Sequence, residues 1–328
     1  FPQYESEVLE TIGLVVKNEQ GKRYDRFRDR IMFPIHDQKG QVIGFGGRVI
    51  NPEDTPKYYN SPETPLFQKG HELYGLFMAR RAMREAGRAL VVEGYMDVVA
   101  LAQYGIEYAV AALGTATTPF HISKLMRQTD EIVFCFDGDK AGQTAAWRAA
   151  MNALPALTDG LKLSFLFLPI EHDPDSYVRE FGREKFEAEI KLATPLSQYI
   201  LMHLSANNPL QSQEDKVRFL NDAEPIMQQI QAPRSAMYLR KKVAELAQLS
   251  TDEMQALLKL PNLNKTPTPA RPKLTRTTHS LHQRFCLTLV MHPELASAAD
   301  LEWLIGDSAN ELMLQGVRLA DPARLDVR

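Results

Sequence analysis

The 328-residue chain is 44% apolar and 24% charged, a composition that excludes wholesale disorder and allows two or three domains, each with its own core. Its net charge of −3 argues against a generic nucleic-acid binder. Two distant cysteines, Cys135 and Cys286, without a CxxC or Cys/His set, exclude a disulfide framework and a zinc site within this sequence. No signal peptide or long apolar span occurs, so a soluble cytoplasmic protein is expected, and Phe1 in place of Met points to a fragment.

In chain order, residues 1–86 open with short β-like runs. Ile31–Ile35 and Gln41–Phe45 flank Asp37-Gln38-Lys39-Gly40, a hairpin signal. A Pro- and Asn-containing loop spans 51–65, and a helix is predicted over Leu76–Ala86. The middle of the chain then alternates. Strands at 89–93, 108–112, 132–136 and 161–168 are separated by helices at about 95–104, 118–128 and 141–154. Unbroken apolar runs such as Ala89-Leu90-Val91-Val92 suit strands buried on both faces, and strand–helix alternation is the signature of βαβ units in a parallel sheet. Beyond residue 176 the pattern is helical: about 176–181, 184–192, 195–205, 213–230, 233–248 and 251–258. Pro261–Ser280, rich in Pro, Thr, Lys and Arg, reads as a linker, and helical segments from about 281 begin a further small unit.

Three acidic patches follow apolar runs: Glu93 with Asp97, Asp137-Gly138-Asp139, and Asp173-Pro174-Asp175. Open α/β sheets bind ligands at the C-terminal ends of their strands, and sulfur-free carboxylate clusters suit Mg²⁺ or Mn²⁺. Asp137 and Asp139, at i and i+2 of an extended segment, can face one cation across Gly138. Glu93 has the length of a general base or a further ligand, whereas Asp97 equally suits a helix cap. Asp173 and Asp175 repeat the i, i+2 spacing and could complete a second metal site. Two cations about 4 Å apart would then activate an attacking hydroxyl and stabilise a leaving pyrophosphate. A P-loop is excluded, because no GxxxxGK[ST] occurs. Gly44-Phe45-Gly46-Gly47-Arg48 does not continue as GxGxxG. A DxDx[TV] phosphatase is half matched by Asp137-Gly138-Asp139 but requires Thr or Val where Ala141 stands.

Charge is unevenly spread. Residues 1–88 hold 14 Lys/Arg against 12 Asp/Glu, and residues 89–178 hold 5 against 11. Lys22, Arg23, Arg26, Arg28, Arg30, Arg48, Lys57 and Lys69 are interleaved with Tyr24, Phe27, Tyr58, Tyr59 and Phe67. Cations beside aromatic planes suit single-stranded nucleic acid, although a solvated basic face is an equal alternative for any one residue.

Val91-Val92-Glu93-Gly94-Tyr95-Met96-Asp97 and Phe136-Asp137-Gly138-Asp139-Lys140-Ala141-Gly142 resemble the two signature motifs of the Toprim domain. Asp25-Arg26-Phe27-Arg28, Met32-Phe33-Pro34-Ile35, Gly44–Arg48, Pro56–Thr64, Lys69-Gly70 and Asp173-Pro174-Asp175 extend the resemblance, over about residues 15–260, to the RNA polymerase core of bacterial DnaG-type DNA primases. It implies an α/β fold in which a parallel four-stranded Toprim sheet is flanked by a mixed α/β basic subdomain and a helical subdomain. The implied domains are a basic part at 1–87, Toprim at 88–170, helices at 171–260, the linker at 261–280 and a partial helicase-binding unit at 281–328. The resemblance makes Glu93, Asp137 and Asp139 catalytic, joined by Asp97, Asp173 and Asp175 around Mg²⁺ or Mn²⁺. Arg48, Lys57, Lys69 and Lys140 would handle template or nucleotide phosphates. The implied activity is a nucleotidyltransferase that makes short RNA primers from NTPs on single-stranded DNA. The implied partners are template, NTPs, RNA primer and the replicative helicase, with no membrane and a monomeric state, at the bacterial replication fork. Zinc would belong only to an N-terminal domain that the family carries outside this sequence. Another Toprim enzyme, a topoisomerase or nuclease, is the enzymatic alternative, and a non-catalytic nucleic-acid-binding protein on the same domain is the other.

Overall fold

The structure, a computed structural model, describes residues 7–114, 116–258 and 260. The expected linker at 261–280, the expected unit at 281–328 and Cys286 lie outside the described residues.

The N-terminal part starts with a short helix, α1 (Glu7–Thr11), and an antiparallel pair, β1 (Val15–Lys17) and β2 (Arg23–Asp25). The expected hairpin follows as β3 (Arg30–His36) and β4 (Val42–Val49), extended by β5 (Tyr58–Asn60) into a three-stranded antiparallel sheet. Its turn closes because Asp37 Oδ1 accepts from the backbone N–H groups of Lys39 (2.8 Å) and Gln41 (2.9 Å), an Asx-type turn. In β3, Phe33 and Ile35 point inward and pack with Phe67, Tyr95 and Leu113 in a small core.

Helix α2 (Leu76–Ala86) leads into the central sheet: β6 (Ala89–Val92), α3 (Tyr95–Gln103), β7 (Ala109–Ala111), α4 (Pro119–Leu125), β8 (Glu131–Phe136), α5 (Lys140–Ala153) and β9 (Lys162–Phe167). These four strands pair in parallel in the order β9-β8-β6-β7, and every residue of β6 and β7 is buried, as double coverage by helices demands. A fifth, antiparallel strand adds to the four expected parallel ones. After α6 (Pro174–Lys191), β10 (Thr194–Pro195) turns back antiparallel onto the free edge of β9. It is only two residues long, and Pro195 has no N–H with which to extend the ladder. The two helices expected at 176–181 and 184–192 are both present as the two halves of α6, separated by the non-helical Gly182 (φ 77°, ψ 174°). The break falls where the glycine predicts it, without an intervening loop.

Helices α7 (Leu196–Asn207), α8 (Gln213–Gln229), α9 (Pro233–Ala247) and α10 (Thr251–Leu257) complete the described chain. Ser212 and Ser250 cap α8 and α10, each in a reciprocal capping box with Asp215 and Glu253. Their apolar faces, including Phe219, Val243 and Met254, join the same core as the central sheet.

At the centre of that core Phe134 is fully buried and stacks on Phe165 of the neighbouring strand, ring centroids 5.4 Å apart. Phe134→Ala is therefore expected to cost about 3–5 kcal/mol, the range for truncating a buried Phe. Urea unfolding checks this as a lower midpoint at unchanged slope.

Candidate metal and nucleotide site

Three adjacent parallel strands deliver the three acidic patches to one edge. Glu93 follows β6, Asp137 and Asp139 follow β8, and beyond β9 Asp173 caps α6 while Asp175 lies in its first turn. Three of the acids are also helix caps. Asp97 Oδ2 accepts from the Gly94 N–H (3.0 Å) in the capping box of α3. Asp139 Oδ1 accepts from the Gly142 N–H (2.7 Å) at the start of α5. Asp173 Oδ1 accepts from the Ser176 N–H (2.7 Å) at the start of α6. The capping and ligand roles expected as alternatives for Asp97 are thus compatible: one oxygen holds the helix, and the second is left for the site.

The like charges act on one another. Burial raises the Glu93 carboxyl, with Asp137 and Asp139 adding to it, against the Asp137 backbone N–H, which stabilises the anion. Burial likewise raises Asp137, helped by Asp173 and Asp139. Asp97 is pushed up to about 7, first by burial and then by the charges of Asp173, Asp137 and Asp175. For Asp173 burial works upward but is outweighed by the Ser176 hydrogen bonds and the Lys57 charge, which leave it below the usual range. Asp175 is held by Arg179 one turn on, a partner that sequence reading missed. An all-oxygen set in which Glu93, Asp97 and Asp137 are raised fits a hard divalent cation, whose charge would relieve the repulsion. Among the described residues, however, no group of three or more His, Cys, Asp or Glu side chains is gathered tightly enough to hold an ion as it stands. Cys135, directly beneath, is fully buried and its thiol is pushed well up by burial, which makes it a core group.

The turn between the two acids of β8 is close. A Cβ on Gly138 would lie 2.2 Å from the Leu168 carbonyl oxygen at the end of β9, so a side chain there must move backbone.

The basic sheet meets this edge through a few residues that sequence reading did not single out. Tyr95 Oη donates to Asn60 Oδ1 (2.6 Å), and Asn60 Nδ2 donates to the Leu113 carbonyl (3.2 Å), tying β5 to the ends of β6 and β7. The glycine-rich β4 serves this contact: a Cβ on Gly46 would lie 2.7 Å from the Tyr95 ring. Tyr58 stands between the two charge sets. Arg48 and Lys57 each lie 5.9 Å from its ring centroid. Its phenol is raised by burial, lowered by Arg48, and raised by Asp97, Asp173 and Asp175. Arg48 and Lys57 are thereby brought beside the acids. Lys140, exposed at the first turn of α5, directly follows Asp139.

Lys69 is placed by its backbone. His121, fully buried in α4, accepts from the Thr118 N–H at Nδ1 (3.2 Å) and donates from Nε2 to the Lys69 carbonyl (3.1 Å). The Thr118 hydroxyl donates to the Gly70 carbonyl (2.6 Å). Both His121 bonds require the neutral imidazole with its proton on Nε2. A cavity of about 680 Å³ lined by Arg88, Glu131 and Lys162 lies at the opposite, N-terminal edge of the strands and takes no part in this site.

Fold and acidic edge together define a Toprim-domain protein. Family models match in sequence order: the N-terminal domain of the DNA primase catalytic core at residues 2–80, the Toprim domain at 87–167 and the DnaB-helicase binding domain of primase at 197–252. The DNA primase of Neisseria meningitidis serogroup A is 50% identical over 311 residues, which is 92% of this chain and 52% of that protein. A crystal structure of a DNA primase domain from Pseudomonas aeruginosa superposes with TM-score 0.74 at 48% identity, over 76% of this chain and 78% of that one. A DnaG primase catalytic domain solved bound to ssDNA gives 0.71 at 48% identity, over 75% and 77%. The chain belongs to the bacterial DNA primase family, and it spans about half the length of the curated relatives it matches.

Two outcomes follow from this geometry. Gly138→Ala is expected to displace the Asp137–Asp139 turn and destabilise the fold by about 1–3 kcal/mol, the usual range for overpacking, read as a lower unfolding midpoint. Burial also holds His121 near pKa 4 against an ordinary 6.5. Between those values the unfolded chain binds more protons. The stability His121 contributes is therefore complete above pH 6.5 and is lost as the pH falls toward 4. The loss between pH 7 and pH 5 is expected to be about 2 kcal/mol, and His121→Gln removes that part of the slope in denaturant titrations.

Proposed function

We propose that this chain is a primase catalytic core, a DNA-dependent RNA polymerase that makes short RNA primers from NTPs on single-stranded DNA. One observation carries the reading: three neighbouring parallel strands end in Glu93, Asp137/Asp139 and Asp173/Asp175, with Arg48 and Lys57 brought to the same edge by Tyr58 and Asn60. Family membership supports it, as does a relative bound to ssDNA.

Glu93, Asp97, Asp137, Asp139, Asp173 and Asp175 would hold Mg²⁺ or Mn²⁺. When bound, the ion supplies electrostatic stabilisation for phosphoryl oxygens and lowers the pKa of an attacking 3′-hydroxyl. The helix caps fix the carboxylates in advance, so little reorganisation is needed when nucleotide arrives. Lys57, Arg48, Lys69 and Lys140 neutralise triphosphate or template phosphates beside them, and Glu93 is positioned as the general base. Catalysis on this plan is positioning plus electrostatics, with pyrophosphate as the leaving group.

The helical part is assigned a separate role. A match to the helicase-binding domain of primase over 197–252 supports docking of a replicative helicase on α7–α10, whereas the sequence led to an expectation of it at 281–328. No helix among the described residues is long and apolar enough to cross a membrane.

Incorporation of labelled NTPs on single-stranded DNA with Mn²⁺ or Mg²⁺ tests the reading. Template-dependent short RNA is expected, with at least a hundredfold loss in Asp137→Ala, the order found when a transition-state electrostatic contact is removed. Strand binding without incorporation, in this chain and in a version extended to its relatives' length, would support the non-catalytic alternative.

A further inference from the structure

Phe120, at the second position of α4, is 58% exposed although it is a large apolar ring. It lies against His71, with ring centroids 4.1 Å apart and planes at 38°, the one aromatic partner it has among the described residues. The site already described makes no use of either residue.

Their surroundings are fixed. His71 belongs to the loop that carries Lys69 and Gly70, whose carbonyls are pinned by His121 and Thr118, the latter two residues before Phe120. The Lys69 N–H also donates to Glu63 Oε1 (3.3 Å) and the His71 N–H to the Gln68 carbonyl (2.9 Å), so the loop is tied at both ends. Nearby Lys124 is neutralised by Glu72 at 2.7 Å, whereas the Lys69 ammonium has no carboxylate partner among the described residues. The start of α4 is fixed from another side as well, because Asn152 Nδ2 of α5 donates to the Thr117 carbonyl (2.8 Å).

A rigidly mounted, solvent-facing aromatic ring beside an unpaired cation matches what a single strand offers, a base with a π-face and a phosphate. Such stacking tolerates any base and is worth about 1–3 kcal/mol per base. An apolar protein partner would leave the Lys69 charge uncompensated. We propose that Phe120, backed by His71, is a stacking platform for one base of a single-stranded nucleic acid whose backbone runs over Lys69. The inference rests on the proposed strand-binding function and adds to it a specific contact.

The test is equilibrium binding of the 328-residue chain to a short end-labelled oligodeoxynucleotide and to the same strand with abasic positions. Phe120→Ala is expected to bind the intact strand about tenfold more weakly. On the abasic strand, already weaker for the unaltered chain, it should bind no more weakly than that chain. Lys69→Ala should weaken both strands alike, since it acts on phosphate. Phe120→Trp should retain affinity, and its emission, taken as the difference from the chain carrying only Trp147 and Trp303, should fall with the intact strand and not with the abasic one. Unchanged affinity in Phe120→Ala with unchanged Trp emission, while the strand still binds, overturns the platform and leaves the proposed function standing. Quenching by free NTP but not by strand overturns the assignment to a strand. Failure of the unaltered chain to bind any strand overturns both readings.

Discussion

Everything in this molecule depends on a repulsion that the backbone is made to hold. Parallel pairing of β6, β8 and β9 brings five carboxylates and their neighbour Asp97 to one sheet edge, where burial and like charge raise Glu93, Asp97 and Asp137. Left alone, such groups would swing into water or pick up protons. Three of them are held in place because one oxygen also closes the first turn of a helix: Asp97 for α3, Asp139 for α5 and Asp173 for α6. The caps stabilise the helices that cover the sheet, and the helices keep the carboxylates where a cation would be welcome. Fold stability and site geometry are therefore one set of hydrogen bonds.

The second charge set arrives by a different device. The antiparallel β3-β4-β5 sheet has a small core of its own, and it is joined to the acidic edge by Tyr95, Asn60 and the Leu113 carbonyl. Glycine in β4 permits that approach, because a side chain on Gly46 would collide with the Tyr95 ring. With Tyr58 as the common neighbour of Arg48 and Lys57, the Lys57 charge adds to the Ser176 hydrogen bonds that hold the Asp173 carboxyl below the usual range. Arg48 and Lys57, in no ion pair among the described residues, form with the acids a surface suited to phosphates bridged to metal.

The helical part contributes to the same hydrophobic core but not to the site's chemistry. Its helices are defined by ordinary local signals: Ser212 and Ser250 caps, Pro233 at the first position of α9, and αL Gln248 closing that helix. Such an assembly can carry the proposed partner-binding role without constraining the acidic edge.

Most element positions were legible in the chain. The 89–93, 132–136 and 161–168 runs are strands, Leu76–Ala86 is a helix, and the Asp37–Gly40 hairpin closes as its Asx turn requires. These features rest on local chemistry: apolar continuity, caps, and a breaker such as Gly182. β10 escaped notice because a two-residue strand has no periodicity, and its pairing exists only because α6 returns the chain to the edge of β9. The sequence by itself determined which carboxylates belong to which strand ends, since Glu93 and Asp137 follow their apolar runs directly and Asp173 comes a few residues after its own. Tertiary structure alone decided that those strands are neighbours, that Tyr58, Asn60 and Tyr95 join the two charge sets, and that His121 anchors Lys69 from 52 residues away. The reason is physical: a cap or a strand end is set within a few residues, whereas strand order and side-chain contacts across elements are fixed only when the common core closes.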